Sequence, residues 1–553
     1  MEFQVILPFK IENKILIGEE TIIEDNIGEL ILNAFKSRPD FIGQVDARTG
    51  EENTFQQMRE RSVKCALWMK NLGVGRNDIV TICTSNHLDT YIPYLATLYV
   101  GAILGVWHEI NISDLLTLFQ YLGERLKIIF LDDIDKASTI LAEIKKMNIS
   151  TKIVIFEKES KELGNEEEEF ETVTSILNGN FEETEINAFS CTELESNRDT
   201  VAILFSSNSR DVIPKHVTIS QAFLTSPSNY QLPIMSPNDV GLWVESLHWN
   251  VSLILTVRAI LSYVKAVKIS NLLDLSQECF CNTIQEYKVT WVFLKYSMAV
   301  KYFYFFEDFR NYDLSSLKQM IFDGKIRGSV YRKFVRALPN TSVAFLYCLP
   351  ETGVTIICQK NYGYKNYVNK TVRLMFVNCI SKLPQDANNI GIIWCKSPCL
   401  TNGYFDLTTG NSIPAVDDNG WFHLDIVGYY DKSGYIYIWA LDRDIMKCKG
   451  HCFLTRDIEN VLKRHPHVKD AAITYRSNAL DGHHPLAFVV RKKGSEVTEK
   501  ELIEFVAKKL DDSMHLRAGV RFVNYLPYYD GYLDRATFNS WTLFKPHNKK
   551  EKL

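Results

Sequence analysis

Short apolar runs at residues 79–83, 102–107, 128–131 and 151–156 alternate with segments of helical period at 91–100, 115–122 and 138–147. That alternation limits the chain more than any other feature. Strands that run parallel need a crossover between them, and helices covering both faces leave such strands apolar on both sides. The expectation is an α/β fold with a parallel sheet flanked by helices.

The same rhythm returns further on. Residues 239–244 lead to His248, 253–267 read as helix then strand, and 290–293, 317–322 and 341–347 read as further strands around a helix at 297–305. Upstream, 28–35 and 55–72 have helical spacing on either side of a turn at Arg48-Thr-Gly50. From 353 to 440 the pattern becomes short β runs with turns, which predicts a small antiparallel, barrel-like subdomain closing the large domain. A helix at 457–465, a strand, a helix at 499–510 and a strand then form a small α+β unit. The expected division is a large N-terminal domain over 1–441 and a small, mobile C-terminal domain over 442–553. Glu157 to Glu171, with glutamates at 166–169, reads as a solvated loop.

Composition removes several functions. With 553 residues, 46% apolar and 23% charged, the chain is that of a soluble multidomain protein. A net charge of −5 offers no basic surplus for nucleic acid. The twelve cysteines form no paired C-x-x-C hooks, so zinc is not expected and reduced intracellular thiols are. The first ten residues lack the basic and apolar regions of a signal peptide, and no uncharged apolar run is long enough to span a membrane.

One loop suggests chemistry. Strand-like Ile203-Leu-Phe205 runs into Ser206, Ser207, Asn208, Ser209, Arg210 and Asp211, then Pro214-Lys215-His216 and a second β run from Val217. Hydroxyls, backbone N–H groups and a lysine at a strand end suit the gripping of phosphate. The loop contains no glycine, however, and a backbone that wraps polyphosphate closely usually needs it. It is a working nucleotide loop, the remnant of one, or an ordinary Ser/Asn turn between two strands.

Further matches lie along nearly the whole chain: Gln44-Val-Asp-Ala-Arg-Thr-Gly50, Tyr312-Asp-Leu-Ser-Ser-Leu317, Tyr347-Cys-Leu-Pro-Glu-Thr352, Gly403-Tyr-Phe405, Asp418-Asn-Gly-Trp-Phe-His423, Lys447-Cys-Lys-Gly450, Asp457-Ile-Glu459 and His465-Pro466. With them the chain resembles the adenylate-forming superfamily, in its insect acyl-CoA synthetase, 4-coumarate–CoA ligase and firefly-luciferase branch. The resemblance implies ATP and a carboxylic acid, fatty or aryl, as substrates for an acyl-adenylate. It also implies Mg²⁺, a rotation of the small domain, and transfer to CoA or, in luciferases, oxidation.

The resemblance gives roles to particular residues. Ser206, Ser207, Ser209 and Lys215 would hold phosphates, although Asn208, Asp211 and His216 replace glycines. Tyr347 would stack on adenine, Glu351 would hold Mg²⁺ and Thr352 would meet the α-phosphate. Lys447 would serve the second half-reaction. His248 and Gly324 would face the acid pocket, with Trp249 narrowing it.

Four departures stand out. At the family's length, Ile426 falls on the ribose-binding aspartate, and Asp425 could serve only through a one-residue slip of the backbone. The hinge pair Asp442-Arg443, of which Arg443 would bind nucleotide, lies two positions late, with Ala440 and Leu441 at the expected places. The loop lacks glycine. Tyr532 stands where the family has the lysine of adenylation, and a phenol with a pKa of about 10 supplies no fixed positive charge. Two readings follow: an acid–CoA ligase or luciferase-like enzyme with adenylation impaired or lost, and a non-catalytic acyl- or nucleotide-binding pseudoenzyme with a regulatory or partner-binding role. The C-terminal Glu551-Lys-Leu553 resembles a peroxisomal signal with glutamate in place of the small residue, leaving peroxisome and cytoplasm both open.

Overall fold

A computed structural model describes residues 9–18, 26–107, 119, 122–156, 170–206, 215–226, 233–269, 276–295, 298, 309–324, 328–359, 366–406, 409, 411–529, 532–533 and 538. The helices expected at 115–122 and 297–305 and the glutamate-rich segment fall wholly or largely outside them.

Two large sheets carry the N-terminal part. In the first, Ile42–Asp46, Lys265–Lys268, Val240–Trp243, Trp291–Lys295, Gln319–Asp323 and Ser342–Leu349 pair side by side in parallel. In the second, Lys152–Ile155, Leu126–Leu131, Ile79–Cys83, Ile103–Val106 and Thr200–Ser206 do the same. Helices pack between the sheets. Every residue of Tyr91–Tyr99 is buried, as is all of Asn250–Leu261 but its last leucine. This explains why both segments read as apolar on every side. Phe55–Asn71 begins at Thr54, whose hydroxyl accepts from the Gln57 N–H while the Gln57 side chain accepts from the Thr54 N–H. The alternation over 79–156 therefore reports a parallel sheet, as expected.

Gly241 shows how tightly the first sheet is fitted. It pairs with Trp291, and a Cβ added to it would lie 2.1 Å from the indole. The glycine is required by that close approach, since any side chain would displace a fully buried tryptophan.

The antiparallel strands over 353–441 do not form a separate sheet. Gly353–Gln359, Asn366–Val368, Ile436–Leu441, Phe422–Tyr430, Gly391–Lys396 and Arg373–Val377 continue the first sheet edge to edge. Their inner face has its own core, which includes Leu374, Phe376, Ile393, Leu424 and Ile426. The chain leaves this sheet at Leu441, makes one 3₁₀ turn over Asp442–Asp444, and enters a five-stranded sheet at Ile445–Cys448. Thr455–Lys463 and Glu499–Ala507 pack on that smaller sheet around Ile458, Leu462, Ile473, Leu502 and Val506.

The thiol expectation needs a correction. Cys379 and Cys452 form a disulfide across 73 residues, with Cα atoms 7.4 Å apart, while the other ten cysteines are not disulfide-bonded. Neither residue has a sequence neighbour that marks it. Only the packing of the small sheet against the antiparallel strands brings them together.

Candidate active site

In open parallel sheets, ligand-binding side chains gather at the carboxyl ends of the strands. Both sheets here turn those ends toward one region. Asn86, just past Ile79–Cys83, donates through Nδ2 to the Trp243 carbonyl at 2.9 Å. Its Oδ1 accepts from Lys268 Nζ at 3.1 Å. One asparagine thus joins the ends of three strands from two sheets. Lys268 is buried with its ammonium 4.4 Å from the Trp243 ring, and burial lowers its pKa to about 7.

A charged cluster lies at the ends of Val240–Trp243, Trp291–Lys295 and Gln319–Asp323. Lys295 Nζ pairs with Glu245 Oε2 at 3.0 Å and lies 3.3 Å from His248 Nε2. His248 Nε2 also lies 3.5 Å from Glu245 Oε2, and its Nδ1 lies 2.5 Å from Ser246 Oγ, so the imidazole sits between a carboxylate, an ammonium and a hydroxyl. Trp249 is only 5% exposed, and its Nε1–H donates to Asp323 Oδ2 at 3.1 Å. Burial raises the Asp323 pKa to about 6 against the lowering effects of Trp249 and Lys295. The next residue is Gly324 at φ +93°, and nothing lies within 4 Å of where its Cβ would be. Its glycine is set by backbone conformation, not by space.

Beside this cluster the Ser342–Leu349 strand turns into Gly353–Gln359. Tyr347 is half-buried against the antiparallel core, and burial pushes its phenol up. Cys348 Sγ accepts from Asn250 Nδ2 at 3.2 Å, which ties this strand to the residue after Trp249. In the turn itself Glu351 is 2% exposed and Thr352 fully buried. The Tyr404 hydroxyl donates to Glu351 Oε1 at 3.4 Å, and the Thr401 N–H donates to the Glu351 carbonyl at 2.8 Å. Tyr404 pairs in turn with Val217, two residues beyond Lys215. The polar loop and the Tyr347–Thr352 segment are therefore neighbours through residues 401–404, although well over a hundred positions separate them in sequence.

Known proteins resemble this chain in sequence and fold. The sequence profile of AMP-binding enzymes matches residues 33–405, and that of the AMP-binding enzyme C-terminal domain matches 457–529. The chain belongs to the AMP-binding enzyme family. It is 27% identical over 499 residues to a luciferin 4-monooxygenase of Luciola mingrelica, covering 87% of this chain and 88% of that one. It is 23% identical over 498 residues to a probable CoA ligase of Humulus lupulus, covering 88% and 87%. Among solved structures, the luciferase-like enzyme of the nonluminescent mealworm Zophobas morio superposes with TM-score 0.66 at 21% identity, over 77% of this chain and 98% of that one. ATP-bound MatB from Rhodopseudomonas palustris superposes with TM-score 0.70 at 16% identity, over 93% and 98%. These structural likenesses establish the adenylate-forming fold, with its large N-terminal and smaller C-terminal domains.

Within that family fold, Ser206 and Lys215 pair across the mouth of the loop as the last and first residues of antiparallel strands. Ser207 and Ser209 lie outside the described residues. His216, in the place of a family glycine, has its pKa lowered to about 4 by burial, so it brings no positive charge toward a phosphate at neutral pH.

Phe422–Tyr430 contains the irregularity that a slip requires. Ile392 pairs with Val427 but Trp394 with His423, so three residues on one strand oppose a single residue on the other. Asp425 sits in this bulge at φ +60°. Leu424 and Ile426 both pack into the antiparallel core. Asp425 is half-buried on the other face, with its Oδ1 3.2 Å from His423 Nδ1. His423 Nε2 lies 3.9 Å from Asp442 Oδ2, in the turn that leads to the small sheet. Sequence reading included His423 at the end of the Asp418–His423 match but gave it no role.

The remaining candidates lie beyond Leu441. Arg443 is in the 3₁₀ turn. Lys447 is half-buried on Ile445–Cys448, where its N–H donates to His483 Nδ1 at 3.4 Å. Tyr532 opens the second strand of a hairpin paired with Tyr529. Glu351 fits a magnesium ion carried in with phosphates, since Mg²⁺ takes one or two carboxylates and keeps the rest of its shell for waters and substrate oxygens. No cluster of three metal-binding side chains occurs among the described residues, and no helix there is long and apolar enough to cross a membrane.

Proposed function

We propose that this protein descends from ATP-dependent acid–CoA ligases, with Mg²⁺ and CoA as further cofactors, and that its adenylation step is impaired or lost. Acid activation supplies a leaving group: a carboxylate oxygen bonds to the α-phosphorus as pyrophosphate departs. Extra negative charge gathers there, and cations must meet it. In this reading Lys215 supplies part of that charge, Glu351 would hold a magnesium ion that supplies more, Thr352 meets the phosphate, and Tyr347 and Asp425 hold the adenosine. Ser206, Ser207 and Ser209 donate to the outer phosphates. The small unit from 442 onward turns on Asp442–Asp444 to bring Lys447 and Arg443 forward for the second step.

The observation that carries the proposal of weak adenylation is Tyr532 at the lysine position. Loss of one charge-stabilising group costs on the order of 10²–10³ in rate in comparable sites. The buried Trp249–Asp323 bond supports it from the acid side, since the indole occupies ground where the family has glycine. It favours a short carboxylic acid, or none, over a long fatty or aryl one. The test pairs MgATP titration calorimetry with pyrophosphate release over a panel of acids, for wild type and Tyr532→Lys. Micromolar ATP binding with a 10²-fold or greater gain in the variant supports the reading. Fast release by the wild type refutes it, and no binding at millimolar ATP leaves the acyl-binding pseudoenzyme as the surviving alternative.

A further inference from the structure

We infer that Cys379 and Cys452 form a redox site that fastens the small C-terminal unit to the large one and must open for that unit to turn. The link to turnover rests on the two-step reading above; the fastening itself does not. Cys379 follows the Arg373–Val377 strand, in a turn where Asn378 Oδ1 accepts from the N–H groups of Ile380 and Ser381. Cys452 lies in His451–Leu454, on the far side of the Asp442–Asp444 turn. Both are half-buried at the edge of an apolar seam formed by Ile392, Val427, Ala440, Ile445 and Leu454, with Trp394 and Trp439 beside them.

The geometry gives the bond its effect. The main chain at 442–444 attaches the small unit at one point, and a body held at one point can turn freely. The disulfide adds a second attachment, leaving rotation only about the line between the two. Among the described residues the apolar seam beneath is formed by a few side chains, so opening the bond removes the covalent part of what holds this arrangement.

The position also suits reversible chemistry. The thiols of Cys65, Cys348 and Cys395 are buried, and burial pushes their pKa values up, which keeps them from reacting as thiolates. Cys379 and Cys452 are reachable from solvent and from each other. Closure requires only a small-molecule disulfide such as oxidised glutathione. One cysteine thiolate attacks it, forming a mixed disulfide and releasing one glutathione. The second cysteine thiolate then displaces the other glutathione, giving one protein disulfide and two reduced glutathiones.

The full chain is equilibrated in oxidising and in reducing glutathione mixtures, alkylated, and digested for mass spectrometry, with hydrogen exchange measured over 439–454 in parallel. A Cys379–Cys452 linked peptide is expected only in the oxidising mixture. Amides around 442–444 are expected to exchange at least about tenfold more slowly there, and Cys452→Ser should match the reduced protein in both mixtures. These readouts need no substrate, so they stand even if adenylation proves absent. Where thioester formation is measurable, the oxidised protein should lose it and recover it on reduction, while Cys452→Ser keeps it throughout. Absence of the linked peptide, equal exchange with and without the bond, or unchanged thioester formation by the oxidised protein would each overturn the inference.

Discussion

Replacing Asp323 with asparagine should make the protein more stable at neutral pH, although it removes a charge that accepts the Trp249 N–H in the candidate site. Asp323 has its pKa raised from 3.8 to about 6, chiefly by burial. A group raised in this way contributes its full stability below the unfolded value and loses it as pH rises through the folded one. That displacement of the titration corresponds to about 3 kcal/mol. Asp323 keeps some exposure at the strand end, and water there reduces the effect to about 1–3 kcal/mol. The asparagine side chain would still accept the Trp249 N–H, so the variant isolates the charge. Its advantage should be small at pH 4 and grow by about 1 kcal/mol between pH 5 and pH 8. Urea unfolding followed by tryptophan fluorescence at each pH gives the difference directly. Trp249→Phe provides a control: without its donor, the carboxylate should titrate at higher pH, shifting wild-type-like loss of stability upward. An Asp323→Asn variant no more stable at pH 8 than at pH 5, relative to wild type, would refute the reasoning.

Two more outcomes follow from the same carboxyl-end chemistry. Lys268 has its pKa lowered from 10.5 to about 7 by burial, so above pH 7 the unfolded chain binds the proton that the folded one sheds. Stability should climb from pH 7 to pH 9, and Lys268→Met should abolish the climb; a parallel climb in both proteins would refute the assignment. Trp249→Ala should cost about 3–5 kcal/mol of stability while admitting larger acids. Equilibrium dialysis with a radiolabelled aryl carboxylate should detect binding in the variant and not in wild type, and equal binding would mean the indole does not close the pocket.

What was legible in the sequence was whatever depends on period. Strands such as Ile79–Cys83 and Gly353–Gln359 show themselves because each fills a buried position with apolar residues. The turn that carries Glu351 and Thr352 was legible as the end of an apolar strand run, Ser342–Leu349. Partnerships between distant segments were not. Trp249 meets Asp323 across 74 positions and Lys295 meets Glu245 across 50, and neither pair has a spacing that a periodic reading could detect. The bulge at Asp425 was visible only as a mismatch of one residue, because strand register depends on the partner strand as well as on the strand itself.

That bulge shows how a strand can keep its core filled while one side chain is turned to the other face. Shifting all of Phe422–Tyr430 by one residue would carry Leu424 and Ile426 out of the antiparallel core, at about 1.5–3 kcal/mol for each exposed side chain. Placing one aspartate in the left-handed region costs about 1–2 kcal/mol, and aspartate is among the residues that tolerate it best. The bulge is therefore the cheaper way to change the register while keeping the core filled. It leaves a carboxylate on the outer face, held by His423 and placed toward the turn at Asp442. The same balance holds elsewhere. Gly241 cannot change without displacing Trp291, whereas Tyr532 lies in a short terminal hairpin. A family frame can persist on packing energy alone while its charge-bearing positions change, so the presence of the fold says little about turnover and the fate of single charges says most.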